Sequence, residues 1–220
     1  MPIQLARANE VELKSLYASA KKRIVARLGE FERMGQEGTD EQLFAELAFC
    51  LLTPQSKAKS CWAAVCRLVE EGDLLCGKPE KISGRISGVR FHRNKGRYLV
   101  EAQRRFSKNG SLRVRNVIER FDSPRELRAW LVQNVSGMGY KEASHFLRNI
   151  GMGSELAILD RHILRNMAAL GAIDGIPRAL TPKAYLALEK EFLALAKRLR
   201  IPPDHLDMLL WYKEAGEVFK

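Results

Sequence analysis

The sequence predicts an all-α protein, and three observations carry that expectation. Apolar residues recur at i, i+3, i+4 and i+7 through most of the 220 residues. Helix-start chemistry appears at several points, and glycine and proline punctuate the segments between. Nothing alternates apolar and polar long enough to suggest a sheet, and no internal repeat or low-complexity tract is present.

Asn9 is a candidate cap for a long first helix with Leu13, Leu16, Tyr17, Ala20, Ile24, Leu28 and Phe31 on one stripe, broken over Gly35 to Gly38. Thr39-Asp40-Glu41-Gln42 then reads as a capping box. The helix it opens is apolar almost all round (Leu43, Phe44, Leu47, Ala48, Phe49, Leu51, Leu52), which places it at the centre of a core. Pro54 ends that helix, and Gln55-Ser56 separates it from the next, Lys57 to Glu71, with Gly72 as its stop. Residues 73–93 read as looser, and Phe91 lies in a basic, glycine-flanked loop without an obvious core role.

From Arg93 to Arg120 the chain is basic, and a solvated helix face accounts for most of those charges. Ser123-Pro124-Arg125-Glu126 combines a cap, proline at the first helical position and glutamate at the third. Gly137-Met138-Gly139-Tyr140-Lys141 is a two-glycine turn, preceded by Val132 and Val135 and followed by Ala143, Phe146, Leu147 and Ile150 at helical spacing. Two such glycines allow positive φ and uncover backbone N–H groups, so the next helix can offer its N-terminus to a phosphate. This is a helix-hairpin-helix pattern over about residues 131–150. Beyond it, Ile163, Leu164, Met167 and Leu170 form a helix ended by Gly171; Thr181-Pro182 starts a long one; Pro202-Pro203-Asp204 recaps the last segment.

The formal net charge of +11 and pI of about 9.7 point to an acidic polymer as partner. Cys50, Cys61, Cys66 and Cys76 lack C-x-x-C or metal-finger spacing, and the first three sit in apolar helical patterns as buried free thiols. The first ten residues show no hydrophobic signal region and no apolar run approaches a membrane span. A cytoplasmic, reduced-compartment protein with no membrane is the expectation, and nothing suggests an oligomer, so a monomer is expected.

Two residues carry candidate chemistry. Lys141 opens the helix after the two glycines, where it can grip phosphate as a point charge or serve as an amine nucleophile. Asp160 ends the apolar run Leu156-Ala157-Ile158-Leu159 and precedes a helix, as an N-cap carboxylate would. A carboxylate fixed by backbone N–H groups also suits stabilisation of positive charge on a sugar, more than it suits proton abstraction.

The stretch VSGMGYKEASHFLRNIG followed by AILDRHILR resembles the helix-hairpin-helix DNA glycosylase superfamily, with lysine and aspartate at that superfamily's spacing. GMGYKEASHFLRN, LAILDRHILR, FCLLTPQSKA, GVRFHRNKG and the closing LWYKEAGEVFK are similar to the small 8-oxoguanine DNA glycosylase/AP lyases of archaea and some bacteria, the second such type. The resemblance runs from about Thr39 to the end. It implies a single two-lobed glycosylase unit, residues 40–151 forming one helical lobe and residues 1–39 with 152–220 the other. Double-stranded DNA containing 8-oxoguanine would cross between them.

The resemblance further implies a flipped base, attack by Lys141 on C1′, a Schiff base, strand nicking by β-elimination, and stabilisation of the sugar's cation by Asp160. Gly137 and Gly139 would meet the DNA backbone. Gln55 stands where such enzymes fill the gap left by the base, or is a simple loop amide. Phe91 and Trp211 are candidates to stack on the base, with a core role open for Trp211.

Guanine N7 accepts a hydrogen bond, whereas 8-oxoguanine carries hydrogen there and donates. A family C-terminal lysine serves this recognition, so the α-carboxylate of Lys220 is a candidate acceptor, against the frayed terminus usual for last residues. No cofactor is expected. Iron–sulfur relatives carry four cysteines near the C-terminus and this chain has none after Cys76, while hairpin carbonyls in relatives often hold a monovalent cation. Two alternatives stay open: a glycosylase for another oxidised base, and a noncatalytic helix-hairpin-helix DNA-binding module.

Overall fold

The structure, a computed structural model, describes residues 3–220, with side chains from residue 6 onward. It is helical throughout apart from one minimal hairpin. In chain order the elements are α1 (Ile3–Glu37), α2 (Asp40–Leu52), α3 (Ala58–Glu70), α4 (Asp73–Cys76), α5 (Pro79–Arg85) and α6 (His92–Phe106). There follow β1 (Ser107–Lys108), β2 (Ser111–Leu112), α7 (Val114–Ile118), α8 (Pro124–Asn134) and α9 (Tyr140–Asn149). The chain finishes with α10 (Arg161–Ala169), α11 (Pro182–Leu199) and α12 (Pro203–Ala215).

The local signals act where they are written. Thr39 Oγ1 accepts from Gln42 N while Gln42 Oε1 accepts from Thr39 N at 2.8 Å, closing the capping box of α2. Ser123 and Thr181 accept from Glu126 N and Ala184 N, each with proline at the next position. Other expectations are corrected. Asn9 does not cap α1, which is already helical from Ile3; its amide instead donates to Ala169 O at 2.7 Å and pins the end of α10. The expected break over Gly35 to Gly38 is met, since α1 ends at Glu37, and Gly35 also keeps it close to the end of α9, where a Cβ would sit 2.1 Å from Ile150 O. Residues 73–93 are not loose: α4 and α5 occupy them, tied by Lys81 Nζ to Asp73 Oδ1 at 2.5 Å. Cys50 and Cys61 are buried free thiols, but Cys66 is half-buried and Cys76 exposed.

Two apolar clusters organise the packing. The first gathers Leu43–Leu52 of α2 with the inner faces of α3, α6, α8 and α9. The second gathers Leu13, Ala20, Ile24 and Phe31 of α1 with the inner faces of α10, α11 and α12. The run Leu156–Leu159 passes between them: Leu156 packs in the first cluster, Ala157 and Leu159 in the second. The last residues join them again. After Gly216 turns the chain at φ 75°, Val218 packs on the second cluster and Phe219 on the first. Lys220 then buries its ammonium against the Glu46 carboxylate, 3.7 Å over the Trp62 ring.

Candidate active site

A cleft of about 960 Å³ opens where the two clusters meet. Five pieces of chain line it: the α2–α3 loop at Thr53–Ala58, Arg90 ahead of α6, residues 141–148 of α9, residues Ile158–Ile163, and Asp207 with Trp211 from α12. Lys141 and Asp160 both face it, although they stand 19 positions apart in the chain.

The hairpin that delivers Lys141 has one glycine in the left-handed region, not two. Gly137 has φ 80°, and Tyr98 of α6 lies so close that an added Cβ would be 2.3 Å from its ring. Gly139 is extended (φ −94°, ψ −177°) and serves as the N-cap of α9. Its N–H is not left open for a phosphate, because Glu142 Oε2 accepts from it at 3.2 Å. The same carboxylate reaches Lys141 Nζ through Oε1 at 3.6 Å. Lys141 Nζ also donates to Thr53 Oγ1 at 3.4 Å, whose own proton goes to Cys50 O at 2.8 Å. The amine is therefore aimed by a hydroxyl with fixed polarity, on a side chain 24% exposed.

Asp160 arrives by a different route. Its Oδ1 accepts from Ile163 N at 2.8 Å, so it is the N-cap of α10. The run before it is buried, and its peptide groups need partners. Glu189 Oε1 accepts from Ala157 N at 2.9 Å; the Tyr185 hydroxyl donates to Ala157 O at 2.6 Å and accepts from Leu159 N at 3.2 Å. Glu189 is itself gripped by Arg128 of α8 through two bonds of 2.5 and 2.7 Å. A buried bidentate pair thus fixes the strand-like run that points Asp160 into the cleft.

The other predicted residues are distributed around this pair. Gln55 lines the cleft, exposed, at φ 55°. Trp211 lines it half-buried, its ring 5.5 Å from that of His162. Lys220 is docked, not frayed: Trp211 Nε1 donates to its backbone oxygen at 3.2 Å. Phe91 stands outside the lining, 49% exposed at the N-cap of α6, with the Arg90 guanidinium 5.0 Å over its ring.

The floor of the cleft holds three residues that sequence reading missed: His145 and Arg148 of α9, and Asp207 of α12. All are buried, and neither ring nitrogen of His145 has a protein hydrogen-bond partner. Burial, then the Arg148 and Lys141 cations, hold His145 well below the ordinary histidine range, so it is a neutral imidazole. Asp207 Oδ2 lies 3.4 Å from Arg148 Nη1, a pair without a hydrogen bond. Burial pushes the Asp207 carboxyl up to about 6 from 3.8, despite the opposing pull of Arg148.

A carboxyl raised on folding stabilises the native state fully below its unfolded value, and that contribution is lost as pH rises through its folded value. Thermal melts of Asp207→Asn and the parent chain are therefore expected to draw apart between about pH 4 and about pH 6.5, the variant gaining relative to the parent as pH rises. Parallel curves would contradict the assignment.

Comparison with known proteins agrees with this geometry. The model of the family described as 8-oxoguanine DNA glycosylase matches residues 24–201. The chain belongs to that family. It is 43% identical over 209 residues to the 8-oxoguanine DNA glycosylase/AP lyase of Fusobacterium nucleatum, covering 95% of this chain and 96% of the relative. Its fold superposes on the crystal structure of the Thermotoga maritima 8-oxoguanine DNA glycosylase with a TM-score of 0.87, at 34% identity over 98% of this chain and all of the other. The Methanocaldococcus jannaschii 8-oxoguanine glycosylase/lyase, solved with a 15mer DNA containing 8-oxoguanine, matches at 31% identity and a TM-score of 0.86, covering 96% and 99% of the two chains.

Proposed function

We propose that this protein excises 8-oxoguanine from double-stranded DNA and nicks the resulting abasic site. One observation carries the reading: an amine on a helix-hairpin-helix turn and a fixed carboxylate face a single cleft, in a chain whose relatives are glycosylase/AP lyases. The base leaves the duplex for the cleft between the two apolar cores, because its sugar cannot be reached while stacked.

Lys141, as free amine, attacks C1′; the C1′–N9 bond breaks and its electron pair leaves with the base, which takes up a proton. The amine loses its proton, the sugar ring opens, and a protonated Schiff base remains. Loss of a C2′ proton then expels the 3′ phosphate by β-elimination. Asp160 faces the positive charge that builds on the sugar and stabilises it electrostatically. The Lys220 backbone oxygen, fixed by Trp211, supplies the acceptor that rewards the N7–H of the lesion and repels the N7 lone pair of guanine. Gln55 fills the vacated stack, Trp211 holds the flipped base, and Phe91, outside the cleft lining, meets it at the rim. At the hairpin, Val135 O accepts from Met138 N and keeps a second lone pair with which it could hold a monovalent cation; no step is routed through one.

Comparing release from duplexes containing 8-oxoguanine, guanine and an oxidised pyrimidine tests the substrate. Release of 8-oxoguanine is expected to exceed that of guanine by on the order of 10⁴-fold, since a site built around a donor leaves its acceptor unpaired with the wrong base. Faster release of the pyrimidine lesion would move the assignment to another oxidised base. Binding without release from any duplex would leave only the noncatalytic module.

A further inference from the structure

Lys95 of α6 is not among the residues lining the cleft, yet it is 4% exposed and none of the ion pairs among the described residues involves it. Its three ammonium donors are all used on one short loop. They go to Leu52 O at 2.8 Å, Pro54 O at 2.8 Å and Ser56 Oγ at 3.2 Å. Ser56 Oγ in turn accepts from Arg90 N at 3.1 Å, across 34 residues of chain. A second loop, the one entering α6, is thereby tied to the first.

Each tied loop carries a non-glycine residue in the left-handed region: Gln55 at φ 55° and Phe91 at φ 61°. Such conformations persist only when the surroundings over-determine them, and they cluster at working sites. For packing alone an apolar chain of the same length would serve better than a buried cation without a carboxylate. What the cation adds is convergence: one group joins three oxygens of the turn, two of which also accept from Cys61 Sγ and Ser56 Oγ.

We infer that Lys95, acting through Ser56, is a positioning residue: it clasps the two rim loops so that Gln55 and Phe91 are held in the conformation that opens the duplex and receives the flipped base. The inference rests on the glycosylase reading of the cleft. A rim arranged before DNA arrives needs no loop ordering at the moment of extrusion. The clasp therefore acts chiefly on base extrusion and reaches the chemistry at C1′ only through Thr53, which lies between the two carbonyls it holds and engages Lys141.

Single-turnover assays of Lys95→Met and Ser56→Ala test this, on duplexes with a paired 8-oxoguanine, with an unpaired 8-oxoguanine, and with a preformed abasic site. Lys95→Met is expected to slow excision of the paired lesion by about 10- to 100-fold, the scale of an ångström-level misplacement. Nicking of the preformed abasic site is expected to fall several-fold less than excision of the paired lesion, and the unpaired lesion, cheap to extrude, recovers most of the rate. Ser56→Ala, which cuts the tie to Arg90, one lysine bond and the hydroxyl's own bond to Pro54 O, shows the same pattern more weakly. Equal loss on all three substrates, or no loss on the paired lesion, would overturn the clasp. If Lys95→Met does not fold, Ser56→Ala decides by the same pattern. Failure of the parent chain to release 8-oxoguanine would instead strike the functional reading beneath it.

Discussion

Lys141→Gln is expected to leave a folded protein that binds damaged duplex but has lost excision and strand nicking by on the order of 10⁴-fold or more, the scale seen when a covalent nucleophile is removed. The fold should tolerate the change. Lys141 is partly exposed and engages Thr53 through one long hydrogen bond, which a glutamine amide can replace. Lys141→Arg sharpens the result: it keeps a cation beside the hairpin, and so any grip on phosphate, but offers no amine that can form a Schiff base. Loss in both variants, with binding measured at one fixed salt concentration, assigns the residue to chemistry. Activity retained by the arginine variant would return Lys141 to the role of a point charge.

Asp160→Asn is expected to reduce single-turnover excision by about 10²- to 10³-fold, the scale of removing one preorganised electrostatic partner. Its fold should be spared, because asparagine caps a helix about as well as aspartate, and the bond from Ile163 N survives the exchange. Asp160→Ala loses the cap as well, and is expected to lower stability by about 1 kcal/mol on top of the same kinetic defect. The pair of variants separates the two duties of one carboxylate. A kinetic defect confined to alanine would mean that Asp160 only ends the buried run and starts α10.

Much of the fold was legible because its signals are local. The Thr39 capping box, Ser123-Pro124 and Thr181-Pro182 each place a helix start through bonds made within three residues. Lys141 and Asp160 were legible for the same reason, one beside its glycines and the other at the end of an apolar run. Elements too short to display a period escaped. The helices α4 and α5 span four and seven residues, and the β1–β2 hairpin two residues a side. That hairpin did leave a trace in Asn109-Gly110, both at positive φ (52° and 78°), the pair favoured in a tight turn.

The residues that sequence reading passed over work through partners far away in the chain. Glu46 interrupts an apolar run, a visible anomaly, but the Lys220 and Asn149 side chains that satisfy it lie 174 and 103 residues away. Arg148 and Asp207 look like surface charges until α9 and α12 are brought together. Lys95 sits in a basic stretch whose other members are exposed apart from half-buried Arg115, and only burial sets it apart. Sequence could single out the residues proposed for the chemistry; it could not show which ones aim them.

The central claim is that the Lys141 amine reaches the sugar of the flipped nucleotide. Adding borohydride during turnover on a duplex containing 8-oxoguanine, then mapping the cross-linked peptide by mass spectrometry, tests this directly. The account predicts a covalent protein–DNA adduct carried by Lys141, in the peptide that begins the α9 helix. Release of 8-oxoguanine with no trapped adduct, or with the adduct on any other amine, would contradict it.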